Sequence, residues 1–154
     1  MILNSPNNPT GAVYTSEELK ALAEICRENK IIVISDEIYA QCQFYEGRHA
    51  SIATYYPEGT IITAGLSKLF CAGGYRFGVA LIPENMPELV QSFLTVIDGT
   101  INCVAAPVQY AALAAYSKFD QMKPYLEATI QCHRVAVEYC CKRFRGMGLE
   151  STDA

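Results

Sequence analysis

Thr63-Ala64-Gly65-Leu66-Ser67-Lys68-Leu69-Phe70-Cys71-Ala72-Gly73-Gly74-Tyr75-Arg76-Phe77-Gly78 is the stretch on which the fold turns. An apolar run over Thr60–Ala64 reads as a buried strand bounded by turn residues. It delivers Lys68 onto a loop, and eight residues later Arg76 opens a second apolar run that lasts to Ile82. Only a short glycine-containing loop separates the two strands, so they are expected to run antiparallel. A lysine at the end of a buried strand has two readings. It is an ordinary surface residue, or it is an amine desolvated enough to act as a nucleophile or to form a Schiff base.

Upstream, the pattern alternates strand, helix, strand. Met1-Ile2-Leu3 reads as the end of a strand, and Asn4–Gly11 is turn-rich, with two prolines and three asparagines. Thr15 with Glu18 three residues on forms a capping box that opens a helix to about Asn29. Leu19, Leu22, Ala23 and Cys26 give that helix its buried face. The β-branched run Ile31-Ile32-Val33-Ile34 has the composition of a parallel strand covered on both faces. The unit is βαβ, right-handed by the usual rule. Ala40–Glu58 reads as a loop with a short helical piece, ending in a turn at Pro57-Glu58-Gly59. After Asn85 the chain is helical, over Pro87 to about Ile97, Pro107 to about Lys118, and Tyr125 to about Arg145. The expected architecture is therefore α/β, a three-layer, mostly parallel sheet with flanking helices.

Bulk properties exclude several classes. The 154 residues suffice for one domain with a core. At 51% hydrophobic and 18% charged residues the chain is too apolar for disorder. A net charge of −4, without a Lys/Arg cluster, argues against nucleic acid. No apolar run approaches the length of a membrane span. Seven cysteines, an odd number without C-x-x-C spacing, argue against a disulfide framework or zinc site. They read as reduced thiols packing as small hydrophobes, Cys132 and Cys140 around His133 included, in a reducing and hence cytoplasmic compartment. No metal is expected. No G-x-G-x-x-G or Walker A sequence is present, so a nucleotide reading has no support.

Four motifs follow one another: Asn7-Asn8-Pro9-Thr10-Gly11, Asp36-Glu37-Ile38-Tyr39, Ser67-Lys68 and Gly74-Tyr75-Arg76-Phe77-Gly78. In that order, over Asn4 to about Leu149, they resemble the class I and II aminotransferases, pyridoxal-phosphate enzymes of fold type I. Independently of the resemblance, Asn8, Asp36 and Lys68 each follow a predicted strand, and ligands of α/β sheets gather at the strands' carboxyl ends.

The resemblance implies a role for each residue. Lys68 would carry pyridoxal 5'-phosphate as a Schiff base and shuttle the proton once freed. A lysine with a pKa of about 10.4 is deprotonated in roughly one molecule in 2,500 at pH 7, and lowering it by about three units costs about 4 kcal/mol. Burial or a neighbouring cation such as Arg76 would supply that. Asp36 would hold the pyridine nitrogen protonated, making the ring an electron sink. Tyr39 and Asn8 would hydrogen-bond the ring's 3-oxygen. Arg76, with its planar fork, and Ser67 would hold the phosphate. Gly65 stands where the family often has a serine, while Cys71 and Phe77 depart mildly from the usual residues.

By the same resemblance, the substrates are an amino acid and a 2-oxo acid, and the full-length family forms homodimers. Complete members carry an upstream segment that helps hold the cofactor, and a downstream small domain whose arginine grips the substrate carboxylate. Residues 1–149 are then expected to be the central part of the large domain, ending in the helix toward the small one, with 150–154 a frayed tail. Such a piece is expected to expose a sheet edge and, in isolation, to bind the cofactor weakly or not at all. Two alternatives stay open: a lyase or decarboxylase of the same fold, and a catalytically silent truncated domain.

Overall fold

The computed structural model describes residues 1–44 and 49–151. A four-stranded sheet has the order β1 (Ile2–Asn4), β2 (Val33–Asp36), β3 (Thr60–Gly65), β4 (Gly78–Leu81). The first three strands are parallel and β4 is antiparallel to β3. The mostly parallel sheet with flanking helices, and the antiparallel strand after the lysine loop, are as expected from the sequence. β1 and β4 are the edges, and Ile2 on β1 is 75% exposed.

Helix α1 (Ser16–Glu28) crosses from β1 to β2. Its capping box is formed, with Thr15 Oγ1 accepting from Glu18 N at 3.2 Å and Glu18 Oε2 accepting from Thr15 N at 2.8 Å. Leu19, Ala23 and Cys26 are buried with Leu3, Val33, Ile52 and Tyr56 in the main core, and Leu22 packs against its border. The helix ends in a Schellman motif. Lys30 takes the left-handed conformation (φ 53°) and donates to Arg27 O, while Ile31 N donates to Cys26 O at 2.8 Å. That explains one departure from expectation. Ile31 is consumed by the cap, so β2 starts at Val33 rather than Ile31 and ends on Asp36, which belongs to the strand instead of following it.

Between β2 and β3 the chain forms two 3₁₀ turns, Ile52–Thr54 and Pro57–Gly59. The second strand of the lysine stretch also starts late. Gly73–Tyr75 is a 3₁₀ turn closed by Arg76 in the left-handed conformation, so β4 begins at Gly78 rather than at Arg76. Helices α2 (Pro87–Thr100), α3 (Ala106–Ser117) and α4 (Phe119–Gly146) follow. α4 begins six residues before the expected start at Tyr125 and holds Pro124 within it. Among the described residues these three helices bury only Ala112 and Leu126. Of the cysteines only Cys26 is buried; Cys71, Cys103, Cys132 and Cys140 are exposed, so the packing role expected for them is not met. No helix of the described residues is long and apolar enough to cross a membrane. The expected tail lies, from residue 152, outside the described residues.

Candidate active site

Three connections converge at the carboxyl ends of the parallel strands: the loop after β1, the turn after β2, and the loop after β3. The first is tied by its own asparagines. Asn4 Oδ1 accepts from Asn8 N (2.9 Å) and from Asn7 Nδ2 (3.2 Å), and Asn7 Oδ1 accepts from Thr10 Oγ1 (2.7 Å). Asn4 Nδ2 donates to Asp36 O at 3.1 Å, fixing this loop to the end of β2. Gly11, at φ 74°, closes the turn by donating to Asn7 O. Ser5–Pro6 and Asn8–Pro9 are cis peptide bonds.

The turn after β2 starts with Glu37 N donating to Thr63 O at 2.9 Å, which prolongs the β2–β3 ladder by one step. Asp36 Oδ1 accepts from Ile38 N (3.3 Å) and, at the limit of bonding, from Thr63 Oγ1 (3.5 Å). Tyr39 is half-buried, and its hydroxyl accepts from Asn8 Nδ2 at 3.1 Å. The Lys68 ammonium lies 5.5 Å from the centre of the Tyr39 ring. Residues 8, 39 and 68 are thus brought together.

Lys68 itself is exposed. The desolvation expected to favour its neutral form is therefore not supplied by the described residues. Its loop is anchored by Leu66, which is buried and whose carbonyl accepts from Phe70 N and Ala72 N. Phe70 meets Tyr116 of α3 edge-on, with centroids 6.1 Å apart. Ser67 is half-buried beside the lysine. Arg76 is exposed, and Nη1 donates to Gly73 O at 3.0 Å. Among the described residues it has no carboxylate partner, which leaves its fork available to an anion. Cys71 and Arg76 both hold φ 52°, a conformation costing a residue other than glycine about 1–2 kcal/mol. Such strained backbone concentrates at functional loops.

At Gly65 the backbone leaves little space. This residue pairs with Gly78 across β3 and β4, and a Cβ on it would stand 2.7 Å from the Phe77 carbonyl oxygen. The backbone approach that brings the Lys68 and Arg76 loops together has no room for a side chain there.

A cavity of about 360 Å³ opens beside Tyr39, lined by Asn7, Asn8, Pro9, Tyr39 and Gln43 among others. Cys42 also lines it, and burial raises the thiol's pKa, aided by Cys71 and opposed by Lys68. The sequence reading missed two groups. Asn4 is one: nothing in a turn-rich segment marks which asparagine is structural. The other is a half-buried cluster in which the Glu37 carboxylate accepts from Ser35, Ser51 and His49. Burial pushes the Glu37 carboxyl up, but those three hydrogen bonds together outweigh it and hold its pKa below the usual range. Twelve residues separate Glu37 from His49, so only the fold joins them. No group of three His, Cys, Asp or Glu side chains among the described residues could hold a metal ion.

Comparison with known proteins gives a consistent result. A family model, aminotransferase class I and II, matches residues 1–154. An aspartate aminotransferase of Geobacillus stearothermophilus is 39% identical over 120 residues, covering 76% of this chain and 30% of that protein. An aspartate/prephenate aminotransferase of Thermus thermophilus is 32% identical over 151 residues, covering 98% of this chain and 38% of that protein. Among solved structures, the Thermus thermophilus aspartate aminotransferase with maleate superposes with a TM-score of 0.90 at 32% identity, over 99% of this chain and 39% of that one. An aromatic aminotransferase from Pyrococcus horikoshii does so with a TM-score of 0.87 at 33% identity, over 99% and 40%. The chain spans about a third of the length of the curated relatives it matches.

Proposed function

The chain belongs to the class I and II aminotransferase family, and on that premise we propose that it is the cofactor-holding part of a pyridoxal-phosphate-dependent aminotransferase. In this reading residues 1–149 are the central portion of the large domain. The single observation that carries the proposal is the meeting of three residues distant in sequence. Asn8 Nδ2 bonds the Tyr39 hydroxyl, and the Lys68 ammonium sits over the same ring.

The donor set suits the cofactor. An amine can bond its aldehyde carbon, an amide and a phenol can bind its ring oxygen, and a carboxylate can pair with its ring nitrogen. Asp36 Oδ2 takes no hydrogen bond from the described residues, and Arg76 has no carboxylate partner among them. Each is open to a ligand. When bound, pyridoxal phosphate supplies an electron sink for charge developing at the substrate Cα.

The residues' own tasks follow. Lys68 Nζ anchors the cofactor and, once released, takes and returns the proton at the substrate Cα. Asp36 keeps a proton on the ring nitrogen through its charge. Tyr39 and Asn8 orient the ring oxygen as a pair. Arg76 and Ser67 bind the phosphate, the arginine by its fork. The substrates are an amino acid and a 2-oxo acid. Similar proteins are named for aspartate, prephenate and aromatic substrates. We extend the reading to a cytoplasmic homodimer. An odd cysteine count without C-x-x-C spacing suits a reducing compartment. Exposed Leu94, Val96 and Leu113 offer apolar surface for association.

Incubation with pyridoxal 5'-phosphate, borohydride reduction and peptide mass spectrometry test the assignment. The expected result is a label on Lys68 in preference to the other five lysines. An even spread over all six would overturn it.

A further inference from the structure

The Glu37 cluster does not reach the candidate site directly. Both carboxylate oxygens are filled: Oε1 accepts from Ser35 Oγ (2.9 Å) and Ser51 Oγ (2.5 Å), and Oε2 faces His49 Nε2 at 2.9 Å. The side chains of Glu37 and His49 are each only 9% exposed. A carboxylate so loaded is no free acid or base for a substrate. On its far side, His49 Nδ1 lies 3.3 Å from Gln43 Nε2, a donor. With the Gln43 amide nitrogen turned toward the ring, an imidazole hydrogen on Nε2 fits both neighbours.

The cluster brackets the turn that carries Tyr39. The turn begins at Glu37, whose amide is tied to Thr63 O, and within it Ala40 N donates to Glu37 O and Cys42 N to Tyr39 O. It is held at its far end by Gln43 on His49. Ser51, the third member, caps the 3₁₀ turn of Ile52, which is fully buried in the core. We propose that Glu37 is a positioning residue. With His49, Ser51 and Gln43 it forms a bracket that fixes the turn 37–42 to the core and sets the Tyr39 hydroxyl against Asn8. Its catalytic consequence rests on the role given above to Tyr39; the positioning itself does not.

The test uses the full chain without cofactor, labelled with ¹³Cζ-tyrosine and assigned through Tyr39→Phe. In Glu37→Ala and His49→Phe, the Tyr39 Cζ resonance should move in the direction seen in Asn8→Ala. Amide exchange at Ala40 and Cys42 should rise at least tenfold, while Ala23 in α1 stays within twofold of wild type. Glu37→Gln should restore both readouts, because His49 can take the other tautomer and Gln43 can turn its amide to match. Ser51→Ala removes one donor of three and should give the same pattern at smaller amplitude, which keeps the test open should Glu37→Ala fail to fold. Equal acceleration at Ala23, Ala40 and Cys42, or a Tyr39 resonance unmoved by all these variants, would overturn the bracket. An even spread of label over the six lysines would instead sink the cofactor reading and leave these results untouched.

Discussion

From Ile2 to Gly65 each strand pairs with a neighbour, and α1 seals one core with Leu3, Val33, Ile52 and Tyr56. From Pro87 to Gly146 the helices keep Leu94, Val96, Leu113, Val135 and Tyr139 more than half exposed. Both halves are comparably apolar in sequence, yet among the described residues the first buries far more of that apolarity than the second. The lesson concerns where the chemistry sits. All the proposed site residues, Asn8 to Arg76, belong to the packed half and the loop that leaves it. Phe70 of that loop meets Tyr116 of α3 edge-on.

Truncations measure the contrast most sharply. Leu19 is 1% exposed and Leu94 is 54% exposed. Leu19→Ala should cost about 2–5 kcal/mol, transfer and cavity together, whereas Leu94→Ala should stay within about 0.5 kcal/mol. Urea denaturation followed by far-ultraviolet circular dichroism reads both. Similar losses would mean that the helical half has a core of its own, and the comparison would break. Next in size is Gly65→Ala, at about 1–3 kcal/mol, because the new methyl meets the Phe77 carbonyl and must push β4 aside. Gly74, where an added Cβ would meet nothing within 4 Å, should accept alanine with far less change.

The same contrast explains what could be read from the residues alone. Periodicity and capping chemistry are local, so α1, its Thr15–Glu18 box and its buried face could be anticipated in detail. The antiparallel β4 followed from the shortness of its loop. Strand starts were misplaced where a cap without glycine intervened: Lys30 in the left-handed conformation displaced β2, and Arg76 in the same conformation displaced β4. The site's motif residues were legible because each sits beside a strand end. Asn4 and the Glu37–His49 pair were not, because their partners are set by tertiary approach and no spacing encodes it.

Lys30 offers a smaller test. At φ 53° a lysine bears left-handed strain of about 1–2 kcal/mol, partly offset in a glycine by its greater unfolded freedom. Lys30→Gly should therefore stabilise the chain by about 0.5–1 kcal/mol, seen as a raised urea midpoint at unchanged m-value. Destabilisation would mean that the side chain, not the cap geometry, matters at this helix end.

The smallest effect is acid sensitivity, and it again separates the halves. Charges on α4 form exposed pairs, Lys123 with Glu127 and Arg134 with Glu138, of a kind worth at most a few tenths of a kcal/mol. Glu37 is held below the usual carboxylate range inside the packed half, its hydrogen bonds prevailing over burial. A carboxyl whose folded pKa is depressed contributes stability that is complete above its unfolded value, about 4.3, and is lost as pH falls through the folded value. Glu37→Gln keeps the bracket's shape without the titrating group, so exposed carboxylates such as Glu18 and Glu58 cancel in the comparison. The stability difference between wild type and Glu37→Gln should shift toward relative loss in wild type as pH falls below about 4.3. Parallel stability curves across that window would place the acid sensitivity elsewhere and remove the charge of Glu37 from what holds the Tyr39 turn.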